Sequence, residues 1–281
     1  PLPPSDPALA LGDFAAANHA AELALARLSG VSGLVPSVDW LLYSAIRKEA
    51  LLTSQIEGTQ ATLIDLFEDE AGFAVSNTDD VEEVTNYLRA FRLVEDNLRD
   101  PSGLPISVRL LCEAHRLLLD GVRGNGKQPG ELRRSQNWIG GTRPGNATFV
   151  PPPAAQVADL LAGVERFIHD DSTPAIPPLI KIALVHAQFE TIHPFLDGNG
   201  RLGRLLITLI LCERKVLREP LLYLSLYFKE HRQYYYDLLN SVRTTGECSG
   251  AFRSPARMVG RRSGTRSRTS ASTWVMRSAT L

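Results

Sequence analysis

Three features of the sequence predict an all-α fold carrying one small β-hairpin. Apolar residues recur at three-to-four spacing in nine separate stretches, period-two alternation is scarce, and the best pair of strand-like runs flanks a turn-rich heptapeptide. At 281 residues and 44% hydrophobic content, the chain can bury a substantial core as one large domain or two smaller ones.

The first helix is expected over the Ala/Leu-rich residues 14–29. A second starts at Ser37 as N-cap and places Leu41, Leu42, Ala45, Ile46, Leu52 and Ile56 on one face. Further helical periodicity covers 60–72, 80–98, 107–119, 154–169, 177–190, 201–213 and 229–243. The hairpin is read from Asn137–Ile139 and Ala147–Val150 around the Gly140–Asn146 turn, stopped by Pro151, Pro152 and Pro153, which lack a ladder N–H. No internal repeat is visible.

The net charge of −1 is unevenly spread. Residues 248–281 hold seven Arg and no acidic side chain, which leaves 23 basic against 31 acidic groups in residues 1–247. A mildly acidic body argues against general nucleic-acid binding. Cys112, Cys212 and Cys248 are widely spaced without metal-ligand pairing and read as free thiols of a reducing compartment. No apolar run approaches 18 residues and no signal-peptide order opens the chain, so a cytoplasmic protein without a membrane span is expected.

The densest chemistry lies in HPFLDGNGRLGR, His193 to Arg204. Gly198, Asn199 and Gly200 form a turn whose backbone N–H groups can approach an anion at the start of a helix. Arg201 and Arg204, three apart, share a helix face and offer forked donors to the same anion. Asp197, so close to phosphates, calls for an intervening cation, and Mg²⁺ suits a carboxylate and phosphate oxygens. His193 stands four residues before Asp197, placed to take a proton from an incoming hydroxyl. Together these residues have the chemistry of a site that grips a polyphosphate.

The stretch resembles the Fic-domain signature H-x-F-x-[DE]-G-N-G-R-x-x-R at every specified position: His193, Phe195, Asp197, Gly198, Asn199, Gly200, Arg201 and Arg204. The resemblance runs from about residue 42 to 246 and implies a Fic-type helical bundle with a β-hairpin flap. It implies a protein adenylyltransferase in which His193 is the general base, Asp197 holds Mg²⁺, and the turn and arginines hold the phosphates of ATP, the substrate. AMP would pass to a Ser, Thr or Tyr hydroxyl of a protein target, or of the enzyme itself, with pyrophosphate leaving. The flap, here Thr148, Phe149 and Val150, would align the target by main-chain pairing, and the adenine pocket maps to Tyr236 and Leu239. The preceding GELRRSQNWIGG resembles the family's pre-flap segment, in which Arg133 and Arg134 are open to a reading as plain surface charges and are assigned no catalytic role.

TSQIEG, Thr53 to Gly58, closes the Ser37 helix with a glutamate that sits unfavourably for the helix dipole and so needs a cationic partner. It resembles the Fic inhibitory motif [ST]-x-x-x-E-[GN], which implies that Glu57 pairs with Arg204 and bars the γ-phosphate from its productive position. The organisation expected is an N-terminal helical region over 1–100 carrying this motif, a catalytic core over 101–247, and a tail over 248–281. The tail has no helical periodicity and reads as a basic disordered segment or, preferably, as out-of-frame translation. A homodimer is compatible with the sequence. The alternatives are an enzyme that removes AMP, with Glu57 orienting a water, and a catalytically silent interaction module.

Overall fold

The computed structural model describes residues 2–5, 8–32, 34, 37–121, 126–171 and 176–245, so the expectations for the 248–281 tail lie outside the described residues. Ten α-helices are described: α1 (Ala15–Ser32), α2 (Val38–Ile56), α3 (Leu63–Glu70), α4 (Thr78–Arg99), α5 (Val108–Leu118), α6 (Val157–His169), α7 (Pro178–Ile192), α8 (Asn199–Glu213), α9 (Leu224–Glu230) and α10 (Arg232–Thr245).

The centre of the bundle is the α7–α8 pair. In α7 every face is apolar enough to be covered, with Leu179, Ile182, Val185 and Phe189 all buried, and this is the pattern of a helix surrounded by others. Helix α8 buries Leu202, Leu205, Leu206 and Leu209, the run whose spacing the sequence displays. Around this pair, α4 packs along α5, α6 along α7, and α2 against α4, α8 and α9. One hydrophobic cluster runs from Phe14 to Leu239, so the region carrying Glu57 and the region carrying His193 share a core.

Three expectations are corrected locally. Ser37 stands at the α2 N-cap with extended backbone, but its hydroxyl makes no capping bond. The helix expected over 229–243 is two helices, because the chain breaks at His231 and turns from α9 into α10. The hairpin is reduced to a single antiparallel bridge, Ile139 with Phe149. Gly140 and Gly141 both adopt left-handed φ, 69° and 68°, directly after Ile139, and Pro144–Asn146 coils into a short 3₁₀ turn, so the two arms leave extended geometry before a ladder can form.

Candidate active site

Helix α7 ends at Ile192, and His193 takes the left-handed conformation, φ 49° and ψ 63°, that turns the chain out of the helix. A histidine with positive φ persists only where its surroundings hold it. Here nearly every carbonyl of the turn is gripped. Arg133, only 2% exposed, donates from Nε to the His193 carbonyl (2.9 Å), from a terminal nitrogen to Ile192 (3.2 Å), and from its own backbone N–H to Pro194 (2.9 Å). Asn137 Nδ2 donates to the carbonyls of His193 (3.1 Å) and Phe195 (3.0 Å). His115 stacks on the Phe195 ring at 3.8 Å, accepts from Gly130 N–H on Nδ1, and so donates from Nε2 to the Asp197 carbonyl at 3.0 Å. Burial pushes the His115 imidazole down to about 4, which keeps it neutral and fixes that tautomer.

Asn199 is expected among the anion-binding groups, and its side chain does something else. Its amide accepts from Phe195 N–H and donates to the Phe195 carbonyl, both at 2.9 Å, clipping the loop closed. What α8 offers an anion is therefore backbone: the N–H groups of its first turn, beginning at Asn199 behind Gly198 with φ 73°. Asp197 faces outward, 48% exposed, with Oδ1 accepting from Gly198 N–H (2.6 Å). His193 is held neutral: burial pushes its imidazole down to about 4, with Arg243 next in effect.

The two motif arginines part company. Arg201 points to Glu83 Oε2 (3.4 Å) and Asp197 Oδ1 (3.9 Å), and its Nε is buried without a hydrogen-bond partner. Arg204, 1% exposed, reaches back to the end of α2, donating to Thr53 Oγ1 (2.7 Å), to the Thr53 carbonyl (3.0 Å) and to Glu57 Oε1 (2.5 Å). Burial by itself would raise the Glu57 carboxyl, but the charge and hydrogen bond of Arg204 outweigh it and the net shift is downward. The Glu57 carboxylate lies where a Cβ on Gly200 would sit, over the first turn of α8, so only glycine at 200 admits it. An acceptor anion thus occupies the helix start, and with 34% of its side chain exposed it can be displaced.

The bridge that replaces the hairpin leaves Thr148 and Val150 exposed, while Phe149 is half-buried with the Arg243 guanidinium 4.9 Å from its ring centre. Tyr236 is half-buried on α10, tilted against Tyr235 at 5.2 Å, and Leu239 is buried in the core cluster. His186, given no role from sequence, is buried between α8 and α10, on the Gly203 carbonyl (3.0 Å) and Tyr235 hydroxyl (2.9 Å). Sequence reasoning missed Arg133, Asn137, His115 and Glu83. Only the first two stand in a segment it singled out, and there the plain surface-charge reading suits Arg134, 81% exposed, but not the buried Arg133. Among the described residues no group of three or more His, Cys, Asp and Glu is gathered for a metal. Nor is any described helix long and apolar enough to cross a membrane.

A model described as Fic/DOC family N-terminal matches residues 15–94, and one described as Fic/DOC family matches 105–211, together about two thirds of the chain. The protein adenylyltransferase Fic of Drosophila ananassae is 30% identical over 165 residues, covering 57% of this chain and 30% of that protein. Protein adenylyltransferase fic-1 of Caenorhabditis briggsae is 32% identical over 131 residues, covering 46% and 24%. The chain therefore spans less than a third of the length of these relatives. Among solved structures, Fic-1 (residues 134–508) of C. elegans superposes with TM-score 0.66 at 24% identity, covering 85% of this chain and 68% of that one. A Fic domain containing signaling protein of Bacteroides thetaiotaomicron gives 0.64 at 18% identity, covering 92% and 94%. One family model falls on the helix that ends in Glu57 and the other on the turn from His193 to Arg204, and the fold is shared with solved Fic proteins: the chain belongs to the Fic/DOC family.

Proposed function

We propose that this protein transfers AMP from ATP to a hydroxyl of a protein target in the cytoplasm, and that Glu57 holds the activity in check. The observation that carries the reading is the Glu57–Arg204 ion pair seated on the first turn of α8, with a neutral His193 at the end of the preceding helix. A carboxylate there occupies the donors that a terminal phosphate would use. When ATP displaces it, the first-turn N–H groups, Arg201 and Arg204 bind the phosphates. His193 takes the proton of a Ser, Thr or Tyr hydroxyl, the hydroxyl oxygen forms the bond to the α-phosphorus, and the bond to pyrophosphate breaks. Asp197, an outward-facing carboxylate, would hold a Mg²⁺ beside the phosphates. The metal would supply neutralisation of phosphate charge. Tyr236 and Leu239 would line the adenine, and Thr148, Phe149 and Val150 would align the target segment. The relatives named protein adenylyltransferase support the activity class.

The test is label transfer from α-phosphate-labelled ATP to the protein itself or to lysate proteins. Parent protein should label weakly, Glu57→Gly strongly, and Glu57→Gly with His193→Ala not at all, since loss of a general base costs about 10² to 10⁴ in rate. Labelling by Glu57→Gly no higher than the parent's overturns the inhibitory reading. Loss of AMP from a pre-labelled target that depends on Glu57 would favour AMP removal instead.

A further inference from the structure

Two buried polar atoms beside the proposed base make no hydrogen bond of ordinary geometry, Nδ1 of His193 and Oε1 of Glu190, although the Glu190 main-chain carbonyl also lies close enough to the His193 ring to favour its protonated form. They belong to residues one helical turn apart at the end of α7, and Nδ1 lies 3.9 Å from the other oxygen of the same carboxylate, Oε2. Glu190 is 4% exposed, a burial that a carboxylate tolerates only with partners. The neighbouring cations do not bind it: Arg204 is committed to Thr53 and Glu57, and Arg243 donates to the Glu190 main-chain carbonyl (2.9 Å) and to Asn240 Oδ1 (3.1 Å). Yet a slot is made for it. Oε1 lies where a Cβ on Gly203 would sit, so any side chain at 203 would expel the carboxylate.

Resting on the proposed transfer reaction, we propose that Glu190 is the positioning residue that keeps the His193 proton on Nδ1, leaves Nε2 to receive the hydroxyl proton, and stabilises the imidazolium so formed. The distance of 3.9 Å is one that substrate binding can close, as catalytic hydrogen bonds commonly tighten in the Michaelis complex. The hydroxyl proton goes to Nε2, the Nδ1 proton stays on the ring, Glu190 gains none, and the imidazolium gives its extra proton to water after pyrophosphate leaves. Facing Glu190 are Glu57 from the end of α2, Arg204 from α8, Tyr235 and Arg243 from α10, and His193 on its own helix end, while Arg133 acts on His193 from the pre-flap segment. Burial raises the Glu190 carboxyl to about 7, against the pull of Arg204 and Arg243, so its negative charge appears as pH rises through neutrality.

The experiment uses the full chain in the Glu57→Gly background. Imidazole ¹⁵N shifts of His193, assigned by their loss in His193→Ala, report the tautomer, and transfer kinetics with MgATP run alongside. The parent should show Nδ1–H with free Nε2. Glu190→Ala should mix the tautomers and lower kcat at least about ten-fold, part of the roughly 10² to 10⁴ due to the base, with KM for ATP within about two-fold. Glu190→Gln should keep the tautomer but lose the rise in kcat through pH 7. Shifts and pH profile unchanged in both variants overturn the proposal, as does a fall in kcat accompanied only by a lower Tm. The shifts need no turnover, so a chain that transfers no AMP yet shows Glu190-dependent shifts at His193 would refute the proposed function, and with it the catalytic part of this inference, while the assignment of Glu190 as the group that sets the His193 tautomer would stand.

Discussion

Arg133 and Arg134 are identical in type and adjacent in sequence, and their roles are set by what each faces. Arg134 pairs with Glu131 in solvent, a contact of little consequence, while Arg133 spreads its donors over the carbonyls of Ile192, His193 and Pro152. The fork of a guanidinium matters there, because its donors are spread over separate nitrogens, whereas an ammonium carries all of its donors on one nitrogen and cannot reach both the Nε and the terminal positions. Arg133→Lys should therefore lower kcat for label transfer at least about ten-fold, by loosening the turn that aims His193, while nucleotide affinity changes little. Each buried carbonyl left unpaired costs about 1–3 kcal/mol, so Tm should also fall by several degrees. Unchanged kcat in this variant, measured in the Glu57→Gly background, would mean that Asn137 alone holds the turn.

At the level of the element, α2 would be the latch of the proposed auto-inhibition, built on one helical face. Glu49, Thr53 and Glu57 stand four apart. Glu49 accepts from the Ser225 backbone N–H (3.1 Å) and hydroxyl (2.6 Å) at the start of α9, and Thr53 and Glu57 both hold Arg204. Thr53→Val keeps the shape and removes one acceptor from Arg204 Nε, leaving the ion pair intact. Self-labelling should rise above the parent's but stay below that of Glu57→Gly, and equal labelling by Thr53→Val and parent would show that Glu57 alone sets the latch. Glu57→Gly should also lower Tm, by less than the roughly 3–5 kcal/mol of a fully buried pair because Glu57 is partly exposed, and added MgATP should recover part of the loss. Since Arg204 holds the Glu57 carboxyl below its usual 4.5, the latch contributes fully above that pH and is lost as pH falls through the lowered value.

For the whole molecule, acid sensitivity follows from groups that folding keeps from ionising. His115, His186 and His193 are pushed down to about 4, 3 and 4 from 6.5, each first by burial. The unfolded chain binds these protons and the native one does not, so their contribution to stability grows as pH rises from about 4 to 6.5. Glu49 and Glu190, raised to about 7 from 4.5 by burial, act oppositely, because the native state holds their protons longer and stability declines as pH rises from 4.5 to 7. Three histidines outweigh two carboxyls, so Tm should climb from pH 4.5 to 6.5 and then flatten or dip towards 7. Thermal melts across that range check the slope, and a Tm falling steadily from pH 4.5 would contradict the neutral burial of the histidines.

What the sequence by itself determined is what short-range chemistry carries. Three-to-four spacing places nine of the helical stretches, because a helix must bury one stripe, and the twelve residues from His193 to Arg204 bring a histidine, a carboxylate, a glycine turn and two arginines into one loop and helix start. The unfavourable charge of Glu57 at its helix end likewise calls for a cation before any partner is known. Only the tertiary structure decided where buried side chains direct their donors. It drew Asn199 onto Phe195, Arg133 onto the His193 turn, and Arg204 back across the core to Thr53 and Glu57. It also set Glu190 against Gly203 and His193, and let paired left-handed glycines undo the hairpin. These outcomes depend on residues far apart in the chain competing for the same few buried partners, a contest that local periodicity does not encode.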